Sequence, residues 1–310
     1  MEAQTVGGVS VSAHAPAAHD YAVVIPAWNA AATITRALDS VFAQTHAPAE
    51  VIVIDDGSPD GDALIATLMR YGDRIRLLRQ RNAGPASARN YGVRVSRSPW
   101  IAFLDADDSW LPHKMERQLA LAGEPRAGLL HGCARDGLPP LPRELDFDML
   151  WRRNRICTSM AVVRREAFVS LGGFDASPQL IGAEDYHLWL RIAHAGWRVL
   201  ACDGLIGHYT PASGSITSRI ERCAEGELHN ARTLGQSLGL PADRIARKLR
   251  HIRTEFGQHL LHARQLPGAR RLLREAIVSR PSLRRIGLWS ATFVPTPWLD
   301  LRRRLRRRNA

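Results

Sequence analysis

The sequence predicts an α/β domain built on a mostly parallel sheet flanked by helices, followed by a helical extension. Three observations predict it. Short β-branched apolar runs alternate with segments of helical spacing between residues 21 and 104, the pattern of right-handed βαβ units. Three of the runs end in polar or acidic turns, at residues 26–29, 55–58 and 105–108. Open parallel sheets bind ligands beyond the carboxyl ends of their strands, so these turns mark one functional edge. From about residue 219 onward the periodicity reads as helical.

Residues 21–26 (YAVVIP) form a short apolar run suited to a buried strand. Residues 30–44 carry Ile34, Leu38, Val41 and Phe42 at helical spacing. A second strand is expected at 51–54 (VIVI), a helix at 60–71, and a third strand at 75–78. Gly84 and Pro85 open the next helix, where proline's missing N–H costs nothing. A fourth strand follows at 100–104 (WIAFL). Past residue 125 the pattern loosens, with a proline-rich loop at 138–142, a strand at 159–163 and a helix at 183–195. Residues 260–281 (LLHARQLPGARRLLREAIVSRP) read as a helical hairpin. The expected organisation is a leader over 1–20, a sheet domain over 21–218, and a helical extension with a basic tail over 219–310.

With 45% apolar residues and ordinary charge content, the 310-residue chain is expected to pack a core. Its four cysteines, Cys133, Cys157, Cys202 and Cys223, form no CxxC pair, which argues against a disulfide framework or zinc site and suits a reducing, cytoplasmic setting. The N-terminus has no basic start followed by a long apolar run, so no signal peptide is read. No stretch of about 18 apolar residues suggests a membrane span.

Charge is uneven. Residues 243–310 hold eighteen Lys and Arg against four acids, +14, which leaves −2 for the rest of a chain whose net charge is +12. Solvated helix faces explain such a region, as does attraction to an anionic surface, at ~1 kcal/mol per basic residue. No nucleic-acid recognition motif is present, and no nucleic acid partner is expected. Residues 301–308 (LRRRLRRR) hold too few apolar side chains to insert, and suit electrostatic contact with an anionic membrane, peripheral on its inner face. The extension as a whole is read as recognising an acceptor, mediating a homodimer or lying on a membrane.

Asp105 and Asp107 stand one residue apart just past a buried strand. If the chain bends there, both carboxylates reach one hard divalent cation, which takes oxygen ligands and completes its shell with waters and substrate phosphates. A solvated turn with helix-capping acids is the other reading. Asp56 ends the second strand, placed to accept hydrogen bonds from a ribose or base, with Gly57 permitting the turn. An N-cap cluster gives the same residues. Arg89 lies near a helix start, where anions are favoured, and reaches a diphosphate or makes a surface salt bridge. Glu184 and Asp185 open a helix whose dipole stabilises acids there. His187, His194 and His208 are scattered and read as structural or exposed. No HExxH, GxGxxG or GxxxxGK[ST] occurs.

In order, VVIPAWNAAATITRALDSVFAQT, VIVIDDGSPDGD, NAGPASARNYGV, WIAFLDADDSWLPHKME, and SLGGFD followed by GAEDYHLWLRIAHAGW resemble a family 2 glycosyltransferase of the GT-A fold, over residues 21–209. The resemblance implies an inverting transfer from a nucleotide diphosphate-sugar, a UDP-sugar by family habit, to a hydroxyl of a glycan or lipid-linked acceptor in cell-surface polysaccharide or lipopolysaccharide assembly. It implies nucleotide contacts from Pro26, Ala27 and Trp28, base or ribose contact from Asp56, and diphosphate contact from Arg89. Asp105 and Asp107 match the DxD that holds Mn2+ or Mg2+. Asp185 matches the catalytic base, and Glu184 is its neighbour. One departure stands out: many relatives carry a histidine where this chain has Ala212, in the segment YTPASGS, and His208 lies at a different offset. An aspartate-based phosphotransferase and a silent nucleotide-sugar-binding module are the rival readings. The first would place its DxD after the first strand, whereas three strand–helix units precede this one.

Overall fold

The computed structural model describes residues 17–135, 141–210 and 220–294. The chain divides into two compact units, one over Met1–Ala176 and Glu184–Ala212, the other over Ser177–Ala183 and Ser213–Ala310.

The first unit opens with β1 (Tyr21–Ala27), α1 (Ile34–Phe42), β2 (Glu50–Asp55), α2 (Gly61–Leu68), β3 (Arg76–Arg79), α3 (Pro85–Val95) and β4 (Trp100–Phe103). These strands pair in parallel, in the order β3-β2-β1-β4. The period of two along β2 builds both faces. Val51 and Val53 join Ile34, Leu38 and Val41 of α1 in one layer, while Ile52 and Ile54 pack with Ala88 of α3 in the other. Gly92 lets α3 approach β1: a Cβ there would overlap the side chain of Val24.

The unit continues with β5 (Ser109–Trp110), α4 (Lys114–Leu119), β6 (Ala127–Cys133), α5 (Phe147–Arg152), β7 (Val162–Arg164), α6 (Arg165–Ser170), α7 (Glu184–His194), β8 (Arg198–Leu205) and β9 (Gly207–His208). β7 pairs antiparallel with both β4 and β6, and β6 runs parallel to β8. The result is a mostly parallel seven-stranded sheet, β3-β2-β1-β4-β7-β6-β8, beside a small antiparallel ribbon of β5 and β9.

Two details differ from expectation. The strand read at residues 159–163 begins instead with a 3-10 turn over Thr158–Met160, closed by Met160 N–H to Cys157 O (2.9 Å) and Ala161 N–H to Thr158 O (3.0 Å), and the strand proper runs over Val162–Arg164. β6 and β8, absent from the sequence reading, extend the sheet beyond β7.

The second unit contains α8 (Ile220–Ser237), α9 (Ala242–His262), α10 (Leu266–Ser279) and α11 (Leu283–Ala291). Ala224, Leu260, Leu261, Ala269 and Leu272 form its core. The hairpin read within 260–281 is made instead by α9 and α10, turning at residues 263–265. Pro267 stands in the first turn of α10 and starts that helix rather than breaking it. No helix among the described residues is long and apolar enough to cross a membrane. The leader to residue 16, Ala212 and the basic tail 301–308 lie outside the described residues.

Candidate active site

Every site residue named from the sequence lies in the first unit, at the end of β1, on turns that follow β1, β2 and β4, or on α3 and α7. At the end of β1, Pro26 is half-buried, Ala27 is buried, and Trp28 is 56% exposed at the sheet edge. Ala27 O accepts the Asp56 N–H (2.8 Å), which ties the β1 and β2 turns together.

Asp56 is buried and its carboxylate is fully engaged. Oδ1 accepts from Gln80 Nε2 (2.7 Å) and Ala83 N–H (2.8 Å), and Oδ2 from Gly84 N–H (2.9 Å). It therefore organises the loop that launches α3. Gly57, at φ 65°, keeps that loop close: a Cβ would come within 2.8 Å of Asn82 N.

Arg89 on α3 joins the two acidic segments. Its Nη2 donates to Asp105 Oδ1 at 2.5 Å and its Nη1 lies 3.4 Å from Glu184 Oε1. Burial works against its charge, but Asp105 and Glu184 outweigh burial and hold the guanidinium well above its ordinary pKa. Such a buried pair persists because each charge has a partner. The Arg89 side chain is almost wholly buried while that of Asp105 stays 33% exposed, so Asp105 presents its second oxygen outward.

Asp107 is half-buried, and burial followed by the charge of Asp105 raises its carboxyl. Arg36 Nη2 donates to its backbone oxygen rather than to its carboxylate. Asp108 is buried, accepting from Ser159 Oγ (2.5 Å) and Thr210 N–H (2.7 Å). Burial and then Asp105 push its carboxyl up to about 7. This crowding of negative charge, with Asp105 and Asp107 both partly exposed, fits a divalent cation. Among the described residues no three His, Cys, Asp or Glu side chains gather to hold a metal ion.

Asp185 stands in the first turn of α7, half-buried. Its Oδ2 accepts from Thr158 Oγ1 (2.7 Å) and its Oδ1 from Tyr186 N–H (2.5 Å). Burial, then the adjacent Glu184, raises its carboxyl. Asp105 and Glu184 pair with Arg89 directly, and Asp185 acts on it electrostatically as well. His208 lies exposed on β9.

Sequence reasoning missed Thr158, Ser159 and Asp108. Ser159 Oγ donates to Asp108 and accepts the Asp105 N–H (3.1 Å), which fixes the acidic turn from the far side of β4. The third acid of DADD was a visible signal; nothing marked Thr158 or Ser159.

A mostly parallel sheet with acids gathered at its carboxyl edge is the arrangement expected of a nucleotide-sugar transferase of GT-A type. The model of glycosyl transferase family 2 matches residues 22–141. The chain is 32% identical over 283 residues to the succinoglycan biosynthesis protein ExoU of Rhizobium meliloti, covering 82% of each. It is 40% identical over 227 residues to an uncharacterized glycosyltransferase of Nostoc, covering 67% of this chain and 65% of that one. A mannosyltransferase of Pyrobaculum calidifontis, solved with GDP-Man and Mn2+, superposes with a TM-score of 0.62 at 21% identity, over 91% of this chain and 82% of that one. TarS of S. aureus, solved with UDP-GlcNAc, gives 0.59 at 17% identity, over 87% and 83%. The chain belongs to glycosyltransferase family 2 and is a glycosyltransferase. That membership sets aside the phosphotransferase reading.

Proposed function

We propose that the protein transfers a sugar, with inversion, from a nucleoside diphosphate-sugar to an acceptor hydroxyl during assembly of a bacterial surface polysaccharide. The observation that carries this is Arg89, which draws the acidic turn after β4 and the start of α7 to one place. The similarity to ExoU supports the polysaccharide setting.

Pro26, Ala27 and Trp28 line the nucleotide side, with Trp28 offering an exposed aromatic face. Asp56 serves the base or ribose by holding the loop before α3 at that edge. Asp105 and Asp107 hold Mn2+ or Mg2+. A bound cation supplies neutralisation of charge on the departing diphosphate. Arg89 serves the diphosphate region by fixing the orientation of Asp105.

Asp185 takes the proton from the attacking hydroxyl, with Thr158 and the Tyr186 N–H holding its oxygens. A carboxylate whose proton affinity is raised is a stronger base near neutral pH. Glu184 anchors the start of α7 to Arg89. The helical unit contributes to acceptor recognition or self-association, and the tail 301–308 contacts an anionic membrane at its cytoplasmic face.

The test is a panel of UDP- and GDP-sugars with Mn2+ or Mg2+, read as thermal stabilisation and as nucleoside diphosphate release. At least one donor should stabilise the protein in a metal-dependent way, and Asp107→Asn should remove that dependence. Stabilisation indifferent to metal, or unchanged in Asp107→Asn, overturns the ligand assignment.

A further inference from the structure

The second unit holds a cleft of about 620 Å³ between α9, α10 and α11, lined by Arg253, Arg270, Arg271, Arg274, Trp289 and Phe293 among others. Along α10, Arg270, Arg274 and Val278 follow at four-residue spacing and so share one face. Three of the four arginines are engaged. Arg253 pairs with Glu275 (2.8 Å), and Arg271 lies 3.4 Å from Glu225. Arg270 donates to Thr292 O (2.8 Å) and its guanidinium lies 4.4 Å from the centre of the Phe293 ring. Arg274 makes no hydrogen bond or ion pair with a described residue. Four arginines thus share a wall with one acid, Glu275, already taken. At the α10–α11 end, Arg250 approaches Arg247, Arg280 and Arg285 closely enough that burial and their charges lower its pKa.

Beside this positive cleft the helices expose aliphatic side chains. Val278 is 78% exposed, Leu283 90% and Ile286 42%, and α11 buries none of its residues. Scattered exposed leucines are ordinary, but these follow one another from the end of α10 into the first turn of α11. A helix that offers apolar side chains outward beside clustered arginines has the chemistry of an element lying in a membrane interface.

We propose that the α10–α11 face is a docking surface for an anionic phospholipid membrane, with headgroup phosphates entering the arginine cleft and Leu283 and Ile286 reaching the acyl boundary. Charge complementarity selects this occupant: with the tail left out, residues 243–294 carry twelve Lys and Arg against three acids, +9. Exposed aliphatic groups select a lipid surface over a nucleic acid, which would leave them in water. The assignment puts in folded helices a contact that composition alone gives to 301–308, and it does not depend on the donor chemistry above.

The experiment is co-sedimentation of the full chain with vesicles of phosphatidylcholine alone or mixed with phosphatidylglycerol. Binding should require phosphatidylglycerol and weaken with salt. Arg274→Glu should cost at least about fivefold in vesicle affinity, the factor that corresponds to one interfacial cation. Ile286→Asp should weaken binding comparably, and both effects should persist when residues 301–310 are removed. Unchanged thermal unfolding of the two surface variants shows that they fold. Vesicle binding equal to that of the unchanged chain in both variants overturns the proposal and leaves the tail as the contact. Equal binding to phosphatidylcholine alone also overturns it, as does capture of a single-stranded RNA that Arg274→Glu abolishes while vesicles go unbound.

Discussion

Ser159 donates its hydroxyl proton to Asp108 at 2.5 Å while accepting the backbone N–H of Asp105 at 3.1 Å. One fully buried hydroxyl therefore fixes both ends of the acidic turn. Asp108 in turn accepts the Thr210 N–H, so the turn is also tied to the segment after β9. Ser159→Ala would leave a buried carboxylate short of a donor and the Asp105 N–H short of an acceptor. Such losses cost about 1–3 kcal/mol. The expected outcome is a lower unfolding temperature together with a raised metal requirement for donor binding. Isothermal titration with Mn2+ and the donor checks it.

Asp185→Asn keeps the size of the side chain and removes its basicity. Turnover should fall by about 10²–10⁴-fold, the usual worth of a positioned base, while donor affinity stays within about twofold. Near-normal turnover would place the base elsewhere.

The pH profile follows from the same group. Burial and Glu184 raise the Asp185 carboxyl. The base form is present above that raised pKa and is lost as pH falls through it. The acid limb of kcat/KM should thus begin above the ordinary carboxylate range near 4. In wild-type enzyme the limb is read directly from kcat/KM against pH, and a limb at ordinary carboxylate pH would contradict the assignment.

Lys114 is fully buried, 4.0 Å from the centre of the Trp110 ring and 2.6 Å from Gln118 Oε1. Burial lowers its pKa to about 7. The unfolded chain holds that proton up to about 10, so between these values it binds more protons than the folded chain, and stability rises with pH. Lys114→Met should flatten the dependence of unfolding free energy on pH between about 7 and 10, by on the order of a few kcal/mol. Denaturant titrations at three pH values suffice to compare the slopes.

Gly92→Ala would force a methyl group into Val24. Overpacking of this kind costs about 1–3 kcal/mol. The variant should unfold earlier, and Gly92→Ala combined with Val24→Ala should recover part of the loss.

β1, β2 and β4 were legible because each carries an unbroken apolar run covered on both faces; the edge strand β3, with Arg76 and Arg79 exposed, was legible from its place between two helices. β6 was not, since Gly128, Gly132 and the buried His131 interrupt its pattern, and each glycine makes room for a neighbour: Trp197 for Gly128, Ile206 and Cys202 for Gly132. β7, at three residues, is too short to show a period. In the site, the spacing of Asp105 and Asp107 was readable, and so was the pair Glu184–Asp185. The partners of Asp108 and Asp185 were not, because Ser159 and Thr158 lie 51 and 27 residues away in sequence and carry no local signature. Arg89 was read toward an anion; the anions its guanidinium meets are the protein's own carboxylates.

The antiparallel seat of β7 between β4 and β6 also orders events during synthesis. β6 leaves the ribosome before β7, yet it reaches β4 only through β7. Until residues 162–164 are made, the outer edge of β4 stays open, and β6 has no neighbour to bind. An open apolar strand edge invites pairing with other chains. Three residues thus cover the edge of β4 and give β6 its neighbour, and until they appear that edge is open to other copies of the growing polypeptide.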